Sequence, residues 1–306
     1  YKMIEISNSL HIFDNYNTSP ITTFHLAEGP GGFIEATRYI RCNDTDTYYG
    51  MTLIDDDDLN VPGWKKSKTF LDNNPNVIIE TGPTKNGDIL NVDNLIHYYT
   101  HFNNKIDIIT ADGGFDFSID FNHQESLAAN LLLGQISFAL AMQKTGGHFI
   151  LKVFDIFTKT TVDILYLLCS LYKQVYIIKP NTSRIANSEK YIVCKNFKRH
   201  SKYNSLMDNI IKQYNNLSSD TLITSILDHD IDYYFLNKIE EYNAIFGQQQ
   251  IENINNTLSL LTNKNKQDKI DSLKKNNINK CIYWCDKFNI PNHKSTISNN
   301  IFISDK

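Results

Sequence analysis

Three ionisable side chains lie at or near the ends of predicted strands, where their chemistry could be combined. Asp112 follows the apolar strand "IDIITA" (106–111), Lys152 lies inside "HFILKVF", and Glu189 opens "EKYIVCKNF" (189–197). A lysine within an apolar strand is costly unless it is paired or used. Ligands of open α/β sheets bind beyond the carboxyl ends of the strands, so these three residues are candidates for one site.

A lysine held between carboxylates suits a transfer reaction in which an alcohol must lose a proton. Burial or a second cation lowers the pKa of such a lysine, and carboxylates orient it. The structural alternatives are a strand-end Lys152 whose ammonium reaches solvent, and ordinary turn and salt-bridge chemistry for Asp112 and Glu189. The residue types therefore predict a proton-transfer site and leave these alternatives open.

Strands and helices alternate through about the first 200 residues. Apolar runs predict strands at 21–26, 47–54, 76–80, 106–111, 146–154, 174–180 and 189–197. Helical spacing predicts helices at 32–42, 92–104, about 123–145 and 158–173. This alternation is typical of βαβ units, so we expect an α/β domain with a mainly parallel sheet over 1–199.

The composition changes beyond residue 200, where polar residues rich in Asn and Lys separate Leu and Ile at helical spacing. This pattern predicts several amphipathic helices over 200–290 and a loose tail over 291–306. We therefore expect a helical C-terminal extension over 200–306.

A glycine turn joins the first predicted strand to the first helix after it. Its candidate ligand-binding residues are Glu28, Gly29, Pro30, Gly31, Gly32 and Phe33, in "EGPGGF". The spacing differs from G-x-G-x-x-G and lacks the G-K-[ST] ending of a phosphate loop, which disfavours a nicotinamide cofactor. A short turn of this kind suits a zwitterionic adenosine ligand such as S-adenosylmethionine (SAM), and the alternative is a turn whose glycines serve packing alone.

Two acidic segments could complete a nucleoside site. The run Asp55–Asp58 follows the second strand, where a carboxylate could hold ribose hydroxyls, and Asp88 in "KNGDIL" could read an adenine amino group. A solvated acidic loop and a plain turn aspartate are the alternatives.

The net charge of −4 excludes a global basic signature, so any nucleic-acid binding must depend on local positive charge. Trp64 offers a stacking surface. Two basic clusters are candidates, with solvated surface lysines as the alternative for each: Lys65, Lys66 and Lys68, and Lys195, Lys198, Arg199 and Lys202.

The five cysteines are odd in number and mostly dispersed, which favours reduced thiols in an intracellular compartment. Cys281 and Cys285 favour a packed helix face over a zinc site, so no metal is predicted. The apolar stretches are too short to span a bilayer and the start shows no signal-peptide pattern. Since the first residue is Tyr1, we expect a preceding segment.

Over about residues 1–197 the chain resembles the FtsJ-like ribose 2'-O-methyltransferases, and within them the eukaryotic and viral mRNA cap methyltransferases. The similarity includes "EGPGGF" as the SAM turn, "GMTL" and "GDI" as the next two segments, and "ADGGF". Its longest parts are "TGGHFILKVFDIFT" and "KPNTSRIANSEKYIVC". The resemblance implies a Rossmann-like SAM-dependent methyltransferase fold with a seven-stranded, mainly parallel sheet flanked by helices.

The resemblance also implies a Lys–Asp–Lys–Glu tetrad. Asp112, Lys152 and Glu189 match its last three places, and Lys2 in "YKMIEI" matches the first. Lys152 would then be the general base or the group that polarises the hydroxyl, tuned by Lys2 and held by the two carboxylates. Where relatives often carry an acid before the turn, this chain has His25.

The implied reaction methylates, with SAM, the ribose 2'-OH of the nucleotide next to an mRNA cap, converting cap 0 to cap 1. Asp112 would also contact the cofactor, while Ser183, Arg184, Lys65 and Lys66 would contact RNA. Capped mRNA is the expected partner, other capping or transcription subunits are candidates, and no membrane is expected. The expected location is the nucleus or cytoplasm, or a viral factory or virion if the chain is viral.

Other functions stay open at this point. One is 2'-O-methylation of rRNA or tRNA, and another is a non-catalytic RNA- or partner-binding subunit on the same scaffold. A nicotinamide-dependent oxidoreductase is a weaker third alternative.

Overall fold

The computed structural model describes residues 1–16, 19–55, 58, 61–114, 123–214, 223–262 and 267–292. Its seven-stranded sheet has the order β3-β2-β1-β4-β5-β7-β6. The strands are β1 Thr22–Leu26, β2 Thr47–Met51, β3 Val77–Glu80, β4 Ile106–Ala111, β5 Gln143–Val153, β6 Tyr172–Ile178 and β7 Lys190–Phe197. The first five pair in parallel, and β7 runs antiparallel to both β5 and β6.

Helices flank this sheet and continue after it. Those described are α1 Lys2–Ser9, α2 Gly32–Arg41, α3 Lys68–Asn73, α4 Val92–Phe102, α5 Gln124–Leu127, α6 Ala129–Met142, α7 Lys159–Leu171, α8 Tyr203–Tyr214, α9 Tyr233–Thr262 and α10 Gln267–Lys287. Short 3-10 turns lie at Asp14–Tyr16 and Lys65–Ser67. The mainly parallel α/β sheet with a helical C-terminal segment is confirmed.

The central strands are buried because helices cover both faces of the sheet. Every residue of β4 is buried, which is why "IDIITA" is apolar almost throughout instead of alternating. The neighbouring β1 contributes Phe24 and Leu26, both 0% exposed, to the same core. Because β1, β2, β3 and β4 pair in parallel, their carboxyl ends all lie at one edge of the sheet.

The helix predicted over 123–145 is wrong in its extent. It is divided into α5 and α6 at Ala128, and β5 begins at Gln143, earlier than the predicted 146. The buried Gln143 amide donates to the Ile106 carbonyl at 2.9 Å, which fixes that residue to the neighbouring β4. A side-chain contact of this kind leaves no periodic signal in the sequence.

The chain divides into two compact units, Tyr1–Gln248 and Gln249–Lys306. In the first unit, Tyr203 and Tyr214 of α8 are buried, and their hydroxyls donate to the Leu140 and Ile89 carbonyls. The first helix after residue 199, α8, thus shares the core of the sheet. In the second unit, α10 has no buried residue, and the tail predicted over 291–306 lies outside the described residues from 293 onward.

No helix within the described ranges is both long and apolar enough to cross a membrane.

Candidate active site

The glycine turn connects β1 to α2 at the carboxyl edge of the sheet. Gly31 is the N-cap of α2 and has φ +101°, a conformation that favours glycine. A Cβ at this position would come within 2.9 Å of the Ser67 hydroxyl and 3.2 Å of the Trp64 ring. The turn is therefore packed from outside by Trp64, which also lies against Gly50 and the small apolar cluster around Ile34.

The side chain of Glu28 is hydrogen-bonded to the backbone that follows the glycine turn. Its Oε1 accepts hydrogen bonds from the backbone N–H groups of Phe33 and Ile34, so it caps the start of α2. Its Oε2 is buried and has no hydrogen-bond partner. Burial, with the nearby charge of Asp112, raises the pKa of Glu28 well above its usual value, although the two backbone hydrogen bonds oppose this.

His25 belongs to the core of the sheet. Its ring nitrogens contact the hydroxyls of Thr23 and Thr110 at 2.9 and 2.8 Å, and the residue is 0% exposed. Burial lowers its pKa to about 3, so the ring is neutral. The carboxylate at this turn is consequently Glu28, three residues after His25.

The loops after β2 and β3 cross each other beside the turn. The N–H of Ile54 donates to the Asn86 carbonyl at 2.8 Å, and Asp88 is half-buried with its carboxylate accepting the Leu90 N–H at 2.8 Å. Asp55 is exposed and accepts the Asp58 N–H at 3.2 Å. Both predicted nucleoside-binding acids therefore lie in loops at the carboxyl edge, while Asp56 and Asp57 fall outside the described residues.

Lys2 and Glu189 form one half of the predicted tetrad. Lys2 is the first residue of α1, and its Nζ lies 2.6 Å from Glu189 Oε1. Their side chains are 31% and 12% exposed. Burial alone would raise the pKa of Glu189, but the hydrogen bond and charge of Lys2, with smaller contributions from Ser183 and Lys152, hold it below the usual value.

Asp112 and Lys152 form the other half. Lys152 Nζ donates to the Asp112 carbonyl oxygen at 2.7 Å and lies 3.5 Å from Asp112 Oδ1. Asp112 follows β4, and Lys152 lies near the end of the parallel β5. Because β7 runs in the opposite direction, Glu189 at its beginning reaches this same edge. The structure thus brings Lys2, Asp112, Lys152 and Glu189 into one cluster.

Several residues support this cluster although no sequence pattern singled them out. Tyr191 is buried and stacks on Phe33 with ring centroids 5.6 Å apart, and its hydroxyl donates to Asp112 Oδ1 at 2.9 Å. Burial and the nearby carboxylates, Asp112 first, raise the Tyr191 pKa far above its usual value, so the hydroxyl stays a donor. Lys179 donates to the carbonyls of Asn187 and Glu189 at 2.7 and 2.8 Å.

The predicted RNA-binding residues occupy different environments. Ser183 is 4% exposed and its hydroxyl donates to Glu189 Oε1 at 2.9 Å, whereas Arg184 is exposed. Lys65 and Lys66 are also exposed. Lys66 lines an open cleft of about 540 Å³ beside the glycine turn. RNA contact by these four residues stays a prediction.

The second basic cluster lies away from the tetrad. Lys195 is opposite His148 in β5, roughly 20 Å along β7 from Glu189. Lys195 donates to the Leu10 carbonyl at 2.6 Å, and Arg199 donates to Asn103 at 2.7 Å and covers the ring of Tyr203. Lys195 and Arg199 therefore connect neighbouring segments of the fold at the opposite edge of the sheet.

The arrangement combines two ammonium groups and two carboxylates in a partly enclosed site. Such a set can hold an alcohol, accept or polarise its proton, and keep each lysine oriented. Among the described residues, no group of three or more His, Cys, Asp or Glu is placed to hold a metal ion.

Comparison with known proteins adds a family and several relatives. The model of the family described as "FtsJ-like methyltransferase" matches residues 1–197. The chain is 29% identical over 266 residues to the cap-specific mRNA (nucleoside-2'-O-)-methyltransferase 1A of Caenorhabditis briggsae, covering 80% of this chain and 29% of that protein. It is 33% identical over 269 residues to the cap-specific mRNA (nucleoside-2'-O-)-methyltransferase 1 of Mus musculus, covering 78% and 32%.

One further relative bears on activity. The chain is 28% identical over 264 residues to the inactive cap-specific mRNA (nucleoside-2'-O-)-methyltransferase 1B of Caenorhabditis briggsae, covering 80% of this chain and 30% of that protein. The chain spans about a third of the length of these curated relatives. Similarity alone therefore does not separate an active chain from an inactive one, and the residues of the site must do so.

Proposed function

The chain belongs to the FtsJ-like methyltransferase family, and on that premise we propose that it methylates, with SAM, the ribose 2'-hydroxyl of the nucleotide next to an mRNA cap. The observation that carries the proposal is the contact of Lys2 with Glu189 and of Lys152 with Asp112 at one sheet edge. The names of the curated relatives support RNA 2'-O-methylation as the class of reaction. Conversion of cap 0 to cap 1 is the specific form proposed here.

The tetrad supplies what a ribose hydroxyl needs from the protein. SAM, when bound, supplies an electrophilic methyl group on a sulfonium whose product is a neutral thioether. Lys152 holds the 2'-oxygen and polarises or accepts its proton, and Asp112 fixes Lys152 through two oxygens. When both lysines carry their protons, their charges balance those of the two acids, so the cluster does not itself repel a cationic cofactor or an anionic RNA.

The glycine turn offers a fit for the amino-acid part of SAM. Glu28 has one carboxylate oxygen engaged by α2 and a second that is buried and unpartnered. A buried acceptor without a donor is costly, and an ammonium group satisfies it. Glu28 would therefore hold the ammonium group of SAM, while the half-buried Asp88 is the candidate for its base.

Exposed cations near the site support binding of a nucleic acid. Arg184 follows the buried Ser183, and Lys65 and Lys66 lie beside the glycine turn. Since the whole chain carries a charge of −4, these local cations would hold RNA phosphates, and binding should weaken with added salt.

A second candidate is a non-catalytic RNA-binding subunit, which the inactive relative favours. Loss of activity on a methyltransferase scaffold requires only that the chemistry fails while the fold persists. Against this candidate stands the tetrad, in which each lysine contacts one of the carboxylates.

The decisive experiment supplies labelled SAM and three RNAs of one sequence, which carry an N7-methylated cap, an unmethylated cap or a 5'-triphosphate. We expect label on capped RNA only, at the ribose of the first nucleotide. Lys152→Ala should abolish the transfer, and the exposed Lys173→Ala should retain it as a matched control.

The other outcomes favour other functions. Transfer to uncapped structured RNA at an equal rate would favour an rRNA or tRNA substrate. RNA binding without transfer by the unaltered chain would favour the non-catalytic subunit.

A further inference from the structure

A buried carboxylate on α1 holds the loop between β6 and β7. Glu5 is 3% exposed, and its carboxylate accepts four hydrogen bonds from two consecutive residues of that loop. Oε1 accepts from the N–H and side-chain amide of Asn181 at 2.8 and 2.7 Å. Oε2 accepts from the N–H and hydroxyl of Thr182 at 3.1 and 3.0 Å. A carboxylate offers about four acceptor sites, and these four donors match that capacity.

The same loop and the same helix meet a second time, at the tetrad. Ser183, the next loop residue, donates to Glu189 Oε1, and that oxygen also contacts Lys2 Nζ. Lys2 and Glu5 are one helical turn apart on the same face of α1. The contacts therefore form a closed ring that runs from Lys2 through Glu189 and Ser183 to the loop, and returns to α1 through Glu5.

The two connections differ in strength. The Lys2 side chain is 31% exposed. In a partly exposed Lys–Glu pair, the rotamer entropy lost by two long side chains offsets much of their attraction, so such a pair fixes their positions weakly. The first turn of α1 has no side-chain cap. The Glu5 contact is buried, involves four donors and fixes backbone on the loop side, so it is the connection able to define where α1 begins relative to Glu189.

We propose that Glu5 is a positioning residue of the reaction, which acts by holding Lys2 at hydrogen-bonding distance from Glu189. This inference rests on the proposed methyl transfer for its kinetic consequence. Glu5 does not touch the reacting groups. Its role is to keep the first tetrad lysine in place.

The test is a double-mutant cycle on the full chain. Glu5→Gln keeps the size of the side chain but turns an amide N–H₂ toward donors of Asn181 or Thr182. We expect kcat for capped RNA to fall on the order of ten- to a hundredfold, with the KM for SAM changed less than about twofold, because misplacement of one catalytic group affects the reaction more than cofactor binding. With Lys2→Ala already present, Glu5→Gln should lower kcat no further.

Glu125 provides a matched control for a merely structural clamp. It is also buried, and its carboxylate accepts the N–H groups of Phe157 and Thr158 and the Thr158 hydroxyl. That loop contains no tetrad residue. Glu125→Gln should lower stability without the loss of kcat, and its effects should be the same with and without Lys2→Ala.

A crystal structure of Glu5→Gln gives a readout that does not need activity. We expect the Lys2 Nζ to Glu189 Oε1 separation, 2.6 Å in the unaltered chain, to open beyond about 4 Å. If the unaltered chain transfers no methyl group to any RNA, the proposed function fails and this separation alone decides the role of Glu5. An unchanged separation, or an equal loss of kcat with and without Lys2, overturns the inference.

Discussion

The hydroxyl of Tyr191 offers a sharp test of how Asp112 holds Lys152. The hydroxyl donates to Asp112 Oδ1 at 2.9 Å, and Lys152 Nζ lies 3.5 Å from the same oxygen. Tyr191→Phe removes this one donor and keeps the ring that stacks on Phe33. Asp112 is then free to rotate, and Lys152 loses part of its alignment.

The size of the effect follows from the exposure of the acceptor. A hydrogen bond to a charged group contributes about 1.5–3 kcal/mol. The Asp112 side chain is 27% exposed, so water can replace the lost donor, and the lower end of the range, about 1.5 kcal/mol, applies. If this free energy is expressed in the orientation of Lys152, kcat falls roughly tenfold, since about 1.4 kcal/mol corresponds to a factor of ten.

The assay is the single-turnover rate of methyl transfer to capped RNA at saturating SAM, with unfolding by urea measured in parallel. Tyr203→Phe is the matched control, because Tyr203 is also buried but donates its hydroxyl to the Leu140 carbonyl in the core. We expect both variants to lose stability and only Tyr191→Phe to lose rate. Full retention of the rate by Tyr191→Phe, or an equal loss in Tyr203→Phe, would refute the reasoning.

Three further predictions concern ligand binding, pH and packing. The pKa of Glu28 is raised in the free protein, and a bound ammonium group lowers it, so SAM binding should release protons above about pH 4.5. Glu28→Gln should abolish this proton release and weaken SAM binding roughly tenfold. Calorimetry in buffers of different ionisation enthalpy measures both. Burial, with the nearby Lys190, lowers the pKa of Lys179 to about 8, so the unfolded chain binds more protons than the folded chain between about pH 8 and 10.5. The contribution of Lys179 to the free energy of unfolding should therefore rise with pH across that window. Urea unfolding of Lys179→Met should lack this rise. Gly87 has φ +66°, and a Cβ there would lie 2.0 Å from the Thr52 carbonyl oxygen, so Gly87→Ala should lower the free energy of unfolding by about 2 kcal/mol or more in thermal unfolding. Gly63 has φ +50° and no atom within 4 Å of such a Cβ, so Gly63→Ala should lower it less. Equal losses in the two variants would contradict the packing argument.

The parts of the site that the sequence predicted are those that depend on local pattern. Asp112 and Lys152 could be placed at one edge because parallel strands with helical connections carry their carboxyl ends together. The buried β4 and the buried part of β5 from Gly147 onward are read directly from their apolar runs. Lys2 was assigned by similarity alone, and the structure places it against Glu189.

The parts that were missed depend on contacts between distant segments. Tyr191 reads as an ordinary strand residue, and only the antiparallel register of β7 places it opposite Lys152 and within reach of Asp112. The loop that receives the Glu5 carboxylate lies 176 residues farther along the chain. No local periodicity reports such pairings, because they follow from the order and direction of the strands.

The sequence by itself determined the α/β alternation, the glycine turn and the stock of charged side chains, since each is a property of neighbouring residues. Only the tertiary structure decided which charges serve the site. The reversed direction of β7 brings Glu189 to the edge shared by Lys152 and carries Lys195 to the opposite edge. Glu189, which directly precedes β7, and Lys195 within it are thereby separated by roughly 20 Å, because each extended residue advances the chain by about 3.3 Å.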